Sequence, residues 1–261
     1  MARIVYIGAE RVGRACLEAL IGREKNIVGI LTADESLRKR IADYIRLDDV
    51  AKKYAIPIYK VIRCDDLNVI NRIKTLRPEL IVMISWSQIL PREIIRYPGS
   101  GCINIHYSLL PKGRGGAPLF WTIFNGLKKS GITLHYVNER IDAGDIIDQS
   151  EFEILPTDTA KTLLDKILKL APQLLMKHID SIESGVVLRQ KQNESEATCF
   201  SARKPSQSLI DWSMSEEEIW RFVRALAPPY PAAFTILGKR RIYFTNAKLI
   251  DGKVILESYL E

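Results

Sequence analysis

The chain is poor in the two side chains that most often hold metals or close disulfides: it has four cysteines and three histidines in 261 residues. Cys16, Cys64, Cys102 and Cys199 lie far apart with no C-x-x-C pair, which fits neither a zinc ribbon nor a disulfide framework, so reduced thiols are expected. His106, His135 and His178 show neither H-E-x-x-H nor a paired spacing, and no protein-held metal is expected. Fifteen glycines and 12 prolines are too few, and 47% apolar residues too many, for a collagenous, disordered or low-complexity chain. No apolar run approaches about 18 residues, and the opening MARIVYIG passes straight into amphipathic sequence. Neither a membrane span nor a cleaved signal peptide is therefore expected, and the chain is assigned to the cytoplasm. Acidic residues are the minority, 31 against 38 basic, for a net charge of +7. That balance suits anionic ligands such as nucleic acid, nucleotide-sugars or a polyglutamylated cofactor, although the basic residues are scattered.

What is present is a succession of short apolar runs. Ile4 to Ile7, Asn26 to Thr32, Glu79 to Ser85 and Gly101 to Tyr107 read as buried strands. Between them lie segments with helical spacing, such as Ile41, Tyr44 and Ile45, or Leu67, Ile70 and Ile73. Strands alternating with helices predict an α/β, Rossmann-like, doubly wound and mostly parallel sheet. Ile132 to Glu139 alternates in polarity and reads as a later, partly exposed strand; Thr159 to Ile182 reads as a long helix. Polar sequence, RQKQNESEAT, then gives way to aromatic-rich segments. The expected organisation is a main domain over 1–190 and a small, truncated OB-like β subdomain over 200–261.

The first turn, Gly8-Ala9-Glu10-Arg11-Val12-Gly13, sits where a dinucleotide fingerprint would sit but lacks the close G-x-G pair that admits a pyrophosphate. Asp34 could serve as the acidic residue after the second strand, which keeps a nicotinamide oxidoreductase as a remote alternative. The densest chemistry runs from Asn104 to Pro118. Asn104 and His106 alternate on a strand and so face the same way, at the edge where open parallel sheets bind ligands. An Asn amide can donate to a developing oxyanion and an imidazole can move a proton near neutral pH, a pairing suited to acyl transfer. A rigid loop follows, with Pro111, three glycines and Arg114 as an anion-meeting group. The loop from Asn138 to Asp145 adds carboxylates beside a glycine; Asp145 reads as a turn cap.

The runs N-I-H-x-S-L-L-P-K-x-R-G-x-A-P, G-I-T-L-H and I-D-A-G-D-I-I resemble those of the 10-formyltetrahydrofolate-dependent formyltransferases. That family includes enzymes acting on glycinamide ribonucleotide, methionyl-tRNA and nucleotide-sugars. The resemblance implies the formyltransferase fold, 10-formyltetrahydrofolate as co-substrate, and a catalytic set of Asn104, His106 and Asp142. It also implies a folate site along Gln88, Ile89 and Leu90 and the turn of Asn138, Glu139, Arg140 and Ile141, with Ser108 and Arg114 beside it. Much of the pterin would be read by backbone groups. The aminoarabinose enzymes carry a second arginine where this chain has Gly116.

The stretch Glu196 to Phe200, with Ile210-Asp211-Trp212, Val223-Arg224-Ala225 and Pro229-Tyr230-Pro231, looks like the amino-sugar branch, in particular the domain that modifies UDP-aminoarabinose. The expected acceptor is thus a nucleotide-linked amino sugar. Its diphosphate would meet Arg114, Arg203, Lys204 or Arg224, and its base Tyr107, Trp121, Trp212 or Tyr230, although core packing is the favoured role for Trp212. Methionyl-tRNA is the alternative. The mixed-charge helix expected over Thr32 to Tyr54 and the short sequence after Leu249 disfavour tRNA, so nucleic acid is not expected as a partner. A second copy of the chain could pack on 228–234 and the terminal β segments.

Overall fold

The computed structural model describes residues 1–228 and 230–260. Pro229, part of the amino-sugar resemblance and of the 228–234 surface, lies outside the described residues. The chain runs β1 (Ile4–Ile7), α1 (Arg11–Gly22), β2 (Ile27–Ala33), α2 (Asp48–Lys53), β3 (Ile58–Val61), α3 (Leu67–Leu76), β4 (Leu80–Ile84), α4 (Arg92–Ile95) and β5 (Cys102–His106). It continues through β6 (Arg114–Gly115), α5 (Pro118–Phe124), β7 (Lys129–Tyr136), β8 (Ile146–Glu153), α6 (Ala160–Glu183) and β9 (Cys199–Phe200). It closes with α7 (Glu216–Ala225), β10 (Ala233–Leu237), β11 (Arg240–Ile250) and β12 (Lys253–Leu260).

One seven-stranded sheet has the order β3-β2-β1-β4-β5-β7-β8. Its first five strands are parallel, and β7 and β8 are antiparallel. Successive strand residues leave on opposite faces. Ile4 and Tyr6 of β1 join Leu17 of α1 and Leu163 and Ile167 of α6 on one side, while Val5 and Ile7 join Ile70 and Ile73 of α3 on the other. Burial on both faces is why these strands read as continuous apolar runs rather than alternating ones. Each such side chain contributes about 1.5–3 kcal/mol of burial.

Two local expectations are corrected. β7 is not partly exposed: it lies between β5 and β8, and only Lys129 at its start is exposed. Its polar positions, Thr133 and His135, are buried and hydrogen-bonded to neighbouring backbone, so polarity there marks internal bonding rather than solvent. The helix expected over Thr32 to Tyr54 is instead a 3-10 turn over Glu35–Arg40, a bend, and the six residues of α2. Asp34 caps that turn by accepting the Ser36 N–H, a local bond that competes with a continuous α-helix.

α6 begins where expected because Thr159 and Thr162 cap each other reciprocally. After it, residues 185–198 cross back over the sheet edge, and β9 pairs in parallel with β6. The C-terminal part is a three-stranded antiparallel sheet, β10-β11-β12, with α7 packed on it. Arg224 of α7 donates to the carbonyls of Asp158 (2.8 Å) and Leu155, which ties that part to the start of α6.

Candidate active site

β5 delivers Asn104 and His106 to one face because they are two residues apart. Antiparallel pairing sets Asn104 opposite His135 of β7, and the Asn104 Nδ2 and His135 Nε2 atoms lie 3.5 Å apart. Asp142 reaches the same place from the turn after β7. Its backbone is left-handed (φ 49°), and two residues on a Cβ at Gly144 would sit 1.8 Å from the Tyr136 carbonyl oxygen. Only glycine lets the turn fold back this tightly, which explains the Asp-x-Gly spacing. Asp142 Oδ2 accepts the Gly115 N–H at 2.9 Å and stands 3.4 Å from His106 Nδ1; Oδ1 is 3.8 Å from His135 Nε2.

Each imidazole is oriented by a carbonyl. His106 Nε2 donates to Gly113 O at 2.7 Å, and His135 Nδ1 donates to Tyr136 O at 2.8 Å. The remaining nitrogen of each ring therefore faces the one carboxylate. Burial pushes His135 down to about 4, against the pull of Asp142, so this ring stays neutral at physiological pH.

The loop after β5 is held by its own polar groups. Ser108 Oγ donates to Lys112 O at 2.7 Å, and Thr133 Oγ1 donates to Ser108 O at 2.7 Å. Arg114 is only 6% exposed and donates to Gln192 Oε1 and to Glu194. The side chains of Ser108 and Arg114, expected beside the folate and, for Arg114, on an anion, are thus bonded inside the protein. At Gly116 a Cβ would lie 2.6 Å from the Ala202 Cα, so the arginine of the aminoarabinose enzymes has no room on this backbone.

The remaining expected folate residues line two loops. Gln88 accepts the Cys64 N–H and donates to Ile62 O, both at 3.0 Å; Ile89 is exposed and Leu90 buried. Asn138 Oδ1 accepts the Arg140 N–H, Glu139 pairs with Arg96 and Arg92, Arg140 pairs with Glu194, and Ile141 is exposed. Gln88 and Asn138 thus bond backbone, while Glu139 and Arg140 form ion pairs with the arginines at α4 and with Glu194. Among the expected diphosphate and base contacts, Arg203 lies 3.5 Å from the Phe120 ring centroid and Arg224 on carbonyls. Trp212 is not core: it is 54% exposed, donates to Thr235 Oγ1 and meets Phe244 edge-on. A separate cleft of about 580 Å³, lined by Arg14, Glu35, Arg38, Tyr44 and Arg46, does not include Asn104, His106 or Asp142.

Residues 2–179 match the formyl transferase family model, and residues 203–257 match that of the formyl transferase C-terminal domain. The chain belongs to the formyl transferase family. A methionyl-tRNA formyltransferase of Alkaliphilus oremlandii is 37% identical over 97% of the chain and 84% of its own length. One from Bacillus subtilis is 35% identical over 98% of the chain and 81% of its own. The solved methionyl-tRNA formyltransferase from Clostridium thermocellum superposes with a TM-score of 0.73 at 26% identity, covering all of this chain and 99% of that one. A Helicobacter canadensis N-formyltransferase, solved with folinic acid and dTDP-3-aminofucose, reaches 0.72 at 21% identity, covering 99% of this chain and 100% of its own, and shares the fold.

These relatives overturn the amino-sugar acceptor, and with it the expectation that nucleic acid is not a partner. The residues that carried the amino-sugar likeness explain the error, because they build scaffold. Thr198 accepts the Gly113 N–H, Phe200 stacks on Trp121, Ile210 is buried, and Arg224 binds two carbonyls. Contacts of this kind hold the fold and do not identify an acceptor. Sequence reasoning also missed His135 and Gln192. His135 was within reach, since G-I-T-L-H places it on an inward strand position; Gln192 sits in polar sequence without periodicity.

Among the described residues no helix is long and apolar enough to cross a membrane, and no group of three or more His, Cys, Asp or Glu is placed to hold a metal ion.

Proposed function

We propose that the chain transfers the formyl group of 10-formyltetrahydrofolate to the amine of methionyl-tRNA. The observation that carries this is the 35–37% identity to methionyl-tRNA formyltransferases over 97–98% of the chain. The convergence of an amide donor with a histidine–carboxylate unit fits the chemistry. The neutral amine adds to the formyl carbon, and the Asn104 amide donates to the oxyanion that forms. The His106–Asp142 unit takes the amine proton, with His135 neutral beside it. The adduct then collapses: the bond from the formyl carbon to N10 breaks, and the same proton passes to N10, so that tetrahydrofolate leaves as the neutral amine. Folate is held along 88–90 and 138–141 mainly by backbone groups, since the polar side chains there are engaged with other protein groups. For the tRNA, Arg38, Lys39 and Arg40 of the 3-10 turn are exposed and can meet phosphates, whereas Arg46 in the 580 Å³ cleft is paired with Glu35 and Asp48.

Incubation of the purified chain with 10-formyltetrahydrofolate and methionyl-tRNA tests this. Formylmethionyl-tRNA should accumulate, and its rate should fall steeply with added salt. Formylation of a free nucleotide-linked amine, with methionyl-tRNA left unmodified, would refute it.

A further inference from the structure

Residues 189–200 contribute polar side chains to the loops around Asp142, Gln192 and Glu194 foremost, although they lie some fifty residues beyond it. Gln192 Nε2 donates to Asp142 O at 2.8 Å and to Gly144 O at 2.7 Å. Its Oε1 accepts from Arg114 Nε at 3.0 Å and Nη2 at 2.7 Å. One primary amide thus uses both its N–H bonds and both its lone pairs, linking the Asp142 turn to the loop that follows β5. Glu194 backs the link by pairing with Arg114 at 3.1 Å and with Arg140, inside the same turn, at 2.8 Å. These two arginines, Arg114 first, hold the Glu194 carboxyl down at about 2.

The turn needs such a restraint. Asp142 is a non-glycine residue in the left-handed region, a conformation that persists only where its surroundings hold it. Its carboxylate must keep one oxygen on the Gly115 N–H while facing His106 Nδ1 at 3.4 Å. Gln192 grips the carbonyls on either side of Ala143, so it fixes the direction from which that carboxylate projects.

We propose that Gln192 is a positioning residue for the reaction, holding Asp142 against His106 through its carbonyl. The inference rests on the formyl-transfer function proposed above. No shorter side chain spans the gap, and a carboxylate cannot replace the amide, because it accepts from Arg114 but cannot donate to the two carbonyls. That asymmetry separates positioning from mere anchorage of Arg114.

The test compares Gln192→Glu and Gln192→Ala with wild type in the full chain. Both variants should lose about tenfold to a hundredfold in kcat for methionyl-tRNA, with KM for each substrate within about twofold, as a small misplacement of a reacting group does. If Gln192→Ala fails to fold, Gln192→Glu, which keeps the Arg114 contact, carries the test alone. A Gln192→Glu enzyme with wild-type kcat overturns the proposal, whether or not Gln192→Ala is impaired. A readout independent of turnover is the NMR signal of the imidazole rings, of which there are three. Those of His106 and His135 should move in Gln192→Glu while His178, paired with Asp148 elsewhere, should not. Movement of all three, or of none, also overturns it. If wild type formylates no methionyl-tRNA while the His106 and His135 signals move as stated, the acceptor assignment fails and the positioning role stands.

Discussion

β5 and the segment 189–203 both bear on the same three catalytic candidates, and they hold them by opposite means. β5 is buried between β4 and β7, and Ile103 and Ile105 are almost wholly out of solvent, so apolar packing and ladder pairing set where Asn104 and His106 stand. The 189–203 segment is polar and largely exposed, and it acts through directed bonds: Gln192 on the Asp142 turn, Glu194 on two arginines, Thr198 on Gly113. Packing is non-directional and tolerates small shifts. Directed bonds fail completely when one donor is lost, but exposed ones contribute little to global stability. The strand should therefore govern whether the protein folds, and the crossing segment whether the folded protein is aligned.

The sharpest break of this comparison is Ile105→Ala. It should destabilise the fold by about 2–5 kcal/mol, measured by denaturant unfolding, because the strand interior cannot close over the lost side chain. A loss under about 1 kcal/mol would contradict the role given to β5. Next is Asn104→Ala on the same strand, which should cost on the order of a hundredfold in kcat, about 3 kcal/mol in the barrier, while unfolding hardly changes. Turnover within a fewfold of wild type would remove Asn104 from the reaction.

Gly144→Ala probes the turn between the two regions. The added methyl meets the Tyr136 carbonyl, so the turn must shift and stability should fall by about 1–3 kcal/mol, with activity falling alongside. A variant with both unchanged would show that the turn is not confined as described. Glu194→Gln tests the exposed end of the crossing segment: kcat should drop a fewfold, and the melting temperature should stay close to that of wild type. A large melting shift would mean that the segment carries the fold after all.

A separate, pH-dependent effect concerns Glu10, at the turn after β1, where burial and then nearby Asp43 raise the carboxyl from the ordinary 4.5 to about 8. Between those values the folded chain holds a proton that the unfolded chain releases, so wild-type stability falls as pH rises from about 4.5 to about 8 and then levels. Glu10→Gln lacks this loss. It should melt higher than wild type at pH 9 and by a smaller margin at pH 5; a margin that does not change with pH would show that Glu10 is ordinarily ionised.

The sequence by itself determined the alternation of strands and helices, the position of β5 and the Asn-x-His pair on one face of it, because these depend on the period-two and 3.6-residue patterns of neighbouring side chains. The Asp-x-Gly turn was legible for the same reason, since a tight reversal demands glycine locally. Tertiary structure alone decided the rest. That Arg114 binds Gln192 and Glu194, that β7 is interior, and that His135 joins Asp142 follow from contacts between residues tens of positions apart. Such contacts leave no periodic trace in a single chain. The acceptor was least legible of all, because the residues that looked specific to one branch make scaffold contacts in this chain, and such contacts carry no information about the acceptor.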